Sequence, residues 1–184
     1  KNYLLRKTMT PISLALIQTQ TPLSSKQVRS SDILSIAKHT LPLLKEYRNN
    51  GLEFYEDLYT NSPLGPSLAF FGHDFSGCYG IDTTDNHIKY ATKEDDAIRI
   101  IYCNSTVENF HYFNNLFIDL IHEKITSNQN NFEPKITELR NFYSEKDPLA
   151  MECEENFWPI RLYELEEDFF PLDDSRINLY SNPR

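Results

Sequence analysis

Glycine is scarce in this chain, five among 184 residues. That leaves little from which to build a phosphate-cradling loop, and no glycine-rich phosphate motif is present. Cysteine is scarce and odd in number, with Cys78, Cys103 and Cys153 far apart. Such a set makes no disulfide framework and contains no Cys-x-x-Cys pair, so reduced thiols in a cytoplasmic protein are the expectation. No apolar run approaches the roughly 18 residues that a membrane-spanning helix needs, and no span is expected. Basic residues are outnumbered 18 to 27, a net charge of −9. That balance excludes a general binder of the phosphate backbone, and no nucleic-acid partner is expected.

The chain is instead rich in aromatics, with 12 Phe and 11 Tyr beside a single Trp. Its hydrophobic fraction of 40% is enough to bury the core of one domain, which excludes disordered and collagen-like chains. The charge is unevenly spread. Residues 1–48 hold eight basic and two acidic side chains, whereas residues 145–174 hold two basic and eleven acidic ones. Either the two ends pair with each other, or the acidic end receives a basic partner. An acidic surface of that kind speeds encounter by electrostatic steering more than it adds affinity.

Along the chain, basic residues precede the short apolar run 12–17, which faintly resembles a signal peptide. The run is too short and no Ala-x-Ala site follows it, so residues 1–30 read as an edge strand or docking arm. The chain opens on Lys1 rather than Met, as a trimmed or incomplete start would. Ser30 or Ser31 can cap a helix carrying Ile33, Leu34, Ile36, Ala37, Leu41, Leu43 and Leu44, kinked or split at Pro42. A second short helix is expected over 52–59, with Phe54, Tyr55 and Leu58 on one side, so that 31–60 is helical as a whole. After the breakers of 61–66 the period changes. SLAFFG, GCYGIDT, HIKYA and AIRIIYC read as four strands of an antiparallel meander within 67–103. In the second strand Cys78, Gly80 and Asp82 fall opposite Tyr79, Ile81 and Thr83. Residues 74–77 and the pair Asp85-Asn86 make the turns.

Ser105 and Glu108 form a capping box for a long helix over about 106–126. Its Val107, Phe110, Phe113, Phe117, Leu120 and Ile121 recur every three or four residues, as a core-facing stripe does. Pro134 can open a helix through Tyr143, Asp147-Pro148 another that Pro159 limits, and residues 163–172 form an acidic tail. The fold class is α+β: a central antiparallel β-meander with flanking N-terminal and C-terminal helices, in one domain of 67–126 sheet and long helix followed by 132–184.

The candidates for chemistry are few. His73-Asp74 could supply a base and an orienting carboxylate, but neighbours on a strand point to opposite faces. His111 and His122 share a helix face about 16 Å apart, too far for one ion, and no metal or cofactor is expected. Cys78 and Cys103 read as buried core thiols. Cys103, just before a helix start, is the one with some claim to a lowered pKa. The acids Glu164, Glu166, Glu167 and Asp168, and the turn acids Glu94, Asp95 and Asp96, are dense enough to repel one another. They are the candidate partner-binding surface.

The stretch 68–121 resembles the SUKH superfamily, a group of bacterial immunity proteins and a fungal cell-wall regulator. The resemblance rests on an apolar strand, the polar turn 74–77, a strand ending in Asp82, a strand carrying Tyr90, and a helix with Ser105, Phe110, Phe113 and Phe117. Asp147-Pro148 and Phe157-Trp158 are similar to the closing part of some members. The resemblance implies a sheet flanked by helices, no enzymatic activity, and a protein partner, for many members a secreted toxin that is often a basic nuclease. The alternatives are a regulatory interaction domain without a toxin partner, and a small hydrolase or nuclease using His73, Asp74 and an acidic cluster.

Overall fold

The structure, a computed structural model, describes residues 21–22, 39–46, 52–60, 67–74, 76–94, 97–127, 131–169 and 177. The N-terminal arm, most of the helix expected from Ser30 onward, and the turn acids Asp95 and Asp96 lie outside these residues.

Six strands follow one another in space in their sequence order: β1 (Thr21–Pro22), β2 (Leu52–Thr60), β3 (Leu68–Asp74), β4 (Gly77–Asp82), β5 (Ile88–Glu94) and β6 (Ala97–Asn104). Every neighbouring pair is antiparallel, so the sheet is a meander. The helices described after it are α1 (Val107–Thr126), α2 (Glu133–Lys146), the single turn α3 (Pro148–Met151) and α4 (Phe157–Glu166). The α+β class and its central meander are as the hydrophobic periods indicate.

The alternation in the strands sorts side chains between two faces. Ala69, Phe71, Tyr79, Ile81, Ile88, Tyr90, Ile101 and Cys103 join the helices in one large core. Leu68, Phe70, Cys78 and Ala91 form a smaller buried cluster on the other face. The helix-side core is aromatic. Trp158, 2% exposed, lies within 6 Å of the rings of Phe110, Phe113, Phe117, Tyr143 and Phe157. Phe113 and Tyr143 stack at 3.8 Å and 5°, and the Tyr143 hydroxyl donates to the Phe113 carbonyl. The pairs 113–143 and 123–135 run in opposite directions along α1 and α2, which makes those helices antiparallel.

Several buried polar groups are paired in one network, as burial favours. The Trp158 indole N–H donates to Asn104 Oδ1 at 2.7 Å. Asn104 Nδ2 and the Ser105 amide both donate to the buried Asp147 carboxylate, at 3.1 and 2.8 Å. Asp147 therefore ties the junction of α2 and α3 to the end of β6. Asn114 and Asn115 on α1 bind the backbone of residues 43–45, where a 3-10 turn (Leu41–Leu43) carries Pro42.

Three local expectations are corrected. Residues 52–60 form strand β2, not a helix. Leu52, Phe54 and Leu58 are buried at a period of two, although the four-residue step from Phe54 to Leu58 taken alone fits a helix as well. Pairing with β3, interrupted by an irregularity between Phe54 and Tyr59, decides for the strand. The N-cap of α1 is Thr106, whose side chain accepts from the Asn109 amide at 3.1 Å. The Ser105 amide donates to Asp147 instead, and the Ser105 hydroxyl accepts from the Asn109 side-chain amide at 3.2 Å. Pro159 does not end a helix. It sits in the first turn of α4, where its missing N–H costs nothing. A bulge in β3 also places Gly72, not Phe71, opposite Tyr79. A Cβ at Gly72 would lie 2.4 Å from Phe54 Cδ1, so only glycine fits.

Phe113 is fully buried under α2 and Trp158. Its replacement by Ala is expected to cost about 3–5 kcal/mol, read as a lower urea midpoint with unchanged slope. A variant as stable as the parent would void the assignment of this helix face.

Candidate functional site

The β3–β4 hairpin turns at Asp74, a residue whose side chain commonly binds the backbone two and three positions on. Here Asp74 Oδ1 accepts from the amides of Ser76 at 2.8 Å and Gly77 at 2.9 Å. A Cβ at Gly77 would lie 2.3 Å from the Ala91 carbonyl and 2.7 Å from Tyr90 Cζ, so the turn can close against β5 only with glycine there. The same carboxylate collects the Tyr90 hydroxyl on Oδ1 at 2.5 Å and the Tyr79 hydroxyl on Oδ2 at 2.9 Å. Arg161 of α4 adds Nη2 to Oδ2 at 2.9 Å. Five donors thus converge on one buried carboxylate.

The electrostatics follow from burial. Tyr79 and Tyr90 are held protonated, first by desolvation and then by the adjacent Asp74 charge. For Arg161 burial alone would favour loss of the proton. The Asp74 carboxylate, with lesser contributions from Tyr90 and Glu164, more than offsets that and drives its pKa further up. The guanidinium also lies 5.1 Å from the Phe157 ring and reaches Glu164 at 2.8 Å. Arg161 therefore joins the acidic helix to the sheet core.

His73 and Asp74 point to opposite faces, as strand geometry requires. His73 pairs across the strands with Cys78 on the face away from the helices. It is 2% exposed, its Nδ1 hydrogen-bonds the Tyr55 hydroxyl at 2.8 Å, and its Nε2 is buried without a hydrogen-bond partner. Burial lowers its pKa, and the nearby Asp74 charge only partly opposes this. A carboxylate offers about four lone-pair positions, and the five donors on Asp74 leave it no free one for a substrate. The two residues do not form an acid–base pair.

The thiols are less reactive than their neighbours suggest. Cys78 lies beside a histidine, yet burial, followed by the Asp74 charge, pushes its pKa up to about 12. Cys103 faces the core and burial raises it well above the ordinary thiol value. Its position just before α1 does not lower it. Cys153 is free and exposed, in the loop before α4. Among the described residues no three His, Cys, Asp or Glu side chains converge as metal ligands, and no helix is long and apolar enough to cross a membrane.

The acidic residues of the tail are placed individually. Glu164 pairs with Arg161, Glu166 with Arg140 of α2 at 2.9 Å, and Asp168 with Lys124 of α1 at 2.5 Å. Glu167 is exposed and has no ion pair among the described residues. Glu94 is the last residue of β5, opposite Ala97. The acids are thus interleaved with cations from three helices rather than massed in one run. Arg161, Tyr79 and Tyr90 were not legible as one constellation, because Arg161 and Asp74 are 87 positions apart. The only hint is that Arg161 is the single base in residues 147–169.

Comparison with protein-family models, curated proteins and solved structures returns no match.

Replacing Asp74 with Asn keeps the shape and removes the charge that faces Arg161. Breaking a buried pair from one side typically costs about 3–5 kcal/mol, and a loss of that size in urea denaturation is expected. A loss below about 1 kcal/mol would mean that the charge is dispensable and the turn geometry suffices.

The lowered pKa of His73 has a defined sign. Below the unfolded-state value of 6.5 the unfolded chain takes up a proton that the folded protein does not. Stability should therefore fall as pH drops through 6.5, and level off below the folded pKa. Urea midpoints between pH 7.5 and 5, with His73→Phe as the control that flattens this limb, measure it. An identical slope in the variant would assign the effect elsewhere.

Proposed function

We propose that the protein is a non-enzymatic, protein-binding module that neutralises a basic partner through its acidic surface. The partner class that fits best is a nuclease-type toxin, met in the cytoplasm. One observation carries the reading. Residues 39–169 hold 24 acidic and 10 basic side chains, a net of −14 in the stretch that contains the whole β2–α4 fold. Twelve of those acids are exposed among the described residues, including Glu108, Glu133, Glu138, Glu145, Glu152, Glu154 and Glu167. A surface potential of that sign attracts a cationic protein over a Debye length and repels nucleic acid.

Two further points support it. The residues that a hydrolase would use are committed elsewhere: Asp74 is saturated by donors and His73 is buried on the other face. The resemblance of 68–121 to the SUKH superfamily implies the same kind of activity, since its members act by binding proteins. Glu94, Asp95, Asp96, Glu164, Glu166, Glu167 and Asp168 remain the proposed contact residues. Pairing within the chain does not remove the tail acids from this role. Exposed ion pairs contribute only about 0–1 kcal/mol each, so a partner's cations can replace Lys124 and Arg140 at little cost.

The test is binding to a basic nuclease domain captured from the protein's own host, with association rates measured across ionic strength. Reversal of Glu166, Glu167 and Asp168 to Lys should slow association most at low salt, where the Debye length reaches about 30 Å at 0.01 M, while the fold survives. A parental rate in low salt would remove the tail from the recognition surface. Hydrolysis of a nucleic acid or ester that His73→Ala abolishes would overturn the reading itself.

A further inference from the structure

We infer that the outward face of α4 is an arginine-docking surface, formed by the rings of Tyr163 and Phe169 and bordered by Glu166, Glu167 and Asp168. This rests on the acidic-surface reading above and narrows it to one side-chain chemistry.

Tyr163 and Phe169 are among the most exposed large apolar side chains of the described fold, at 54% and 51%. They are not scattered singly. Their rings lie 6.3 Å apart at 57°, one composite aromatic face on an otherwise polar surface. The chain is turned to produce it. Asp168 adopts φ of +57°, a left-handed conformation usually left to glycine at a helix end. Its carboxylate is held by Lys124, which also caps the Leu165 carbonyl. The reversal brings Phe169 back over Tyr163, one and a half turns earlier on the helix.

Charge complementarity selects the occupant. Glu166 and Glu167 lie three and four positions after Tyr163, hence on its side of the helix. The Asp168 side chain is 82% exposed, and Glu167 has no ion pair among the described residues. An apolar partner would have to desolvate Glu167 without pairing it, together with the exposed pairs of Glu166 and Asp168, which is costly. The same face of a second copy would bring like charges together. A cation satisfies both features, since the ring faces attract it and the carboxylates pair with it. A planar guanidinium can stack on a ring while its edge donates to a carboxylate, which a lysine ammonium cannot. The occupant is therefore an arginine of a basic protein segment.

Octa-arginine and octa-lysine peptides, titrated calorimetrically into the intact protein at low ionic strength, test the assignment. The expected result is tighter binding of octa-arginine by about two- to fivefold. Tyr163→Leu/Phe169→Leu, which keeps apolar area but removes the π faces, should erase that preference and leave octa-lysine binding unchanged. Circular dichroism of the variant confirms the fold. An arginine preference that persists in this variant, or no preference in the parent, overturns the docking face and leaves the acidic-surface reading standing. Failure of both peptides to bind overturns that reading and the docking face with it. A concentration-dependent mass without peptide, abolished by the variant, would identify a second copy as the occupant and overturn the assignment to arginine.

Discussion

The Asp74 carboxylate is the interaction on which the rest of the arrangement depends. It closes the β3–β4 turn through two amides, ties β4 and β5 together through two tyrosine hydroxyls, and fastens α4 to the sheet through Arg161. A buried charge is tolerated only when its desolvation is compensated by pairing and hydrogen bonds. Full saturation of this one provides both. It also explains why two tyrosines can sit in the core with their hydroxyls inward, since each has a charged acceptor to donate to.

A second polar tie works in parallel. Trp158, Asn104 and Asp147 link α4, β6 and the α2–α3 junction by hydrogen bonds through the middle of an aromatic core. The two ties hold one inward face of α4 over its first turns, by Trp158 and, three positions on, by Arg161. Aromatic packing supplies most of the apolar burial, but packing alone is tolerant of small rotations of a helix on a sheet. Directional hydrogen bonds to Asn104 and Asp74 are not. The orientation of α4, and with it the direction in which Tyr163 and Glu166 project, is thereby fixed.

The same bonding separates structure from function. The residue pair with the strongest sequence claim to catalysis, His73-Asp74, is divided between the faces of the sheet and built into its framework. What the surface offers instead is negative charge in excess of its internal pairing. The tail acids hold α4 to α1 and α2 through Lys124 and Arg140, yet such exposed pairs are weak enough to be exchanged for a partner's cations. One set of side chains can thus orient the helix in the free protein and, in the proposed complex, meet a basic partner.

The meander, the long helix with its Phe110, Phe113 and Phe117 stripe, and the turn residues Asp74, Gly77 and Asn86 were legible in the sequence. Each is a local matter, of hydrophobic period or of a backbone conformation that few residues adopt. Asn86 indeed has φ of +65° in the β4–β5 turn. Strand β2 was not legible, because Phe54, Tyr55 and Leu58 fall on one side of a helix as readily as Leu52, Phe54 and Leu58 fall on one face of a strand, and only an adjacent β3 breaks the tie. The thiols were half legible: their burial in strands could be read, whereas the exposure of Cys153 depends on the loop between α3 and α4. Composition determined the acidity of the protein. Only the tertiary structure decided which acids are paired, because Arg161, Arg140 and Lys124 reach Asp74, Glu166 and Asp168 across 87, 26 and 44 positions. No local pattern encodes contacts of that range; they exist once the helices have packed on the sheet.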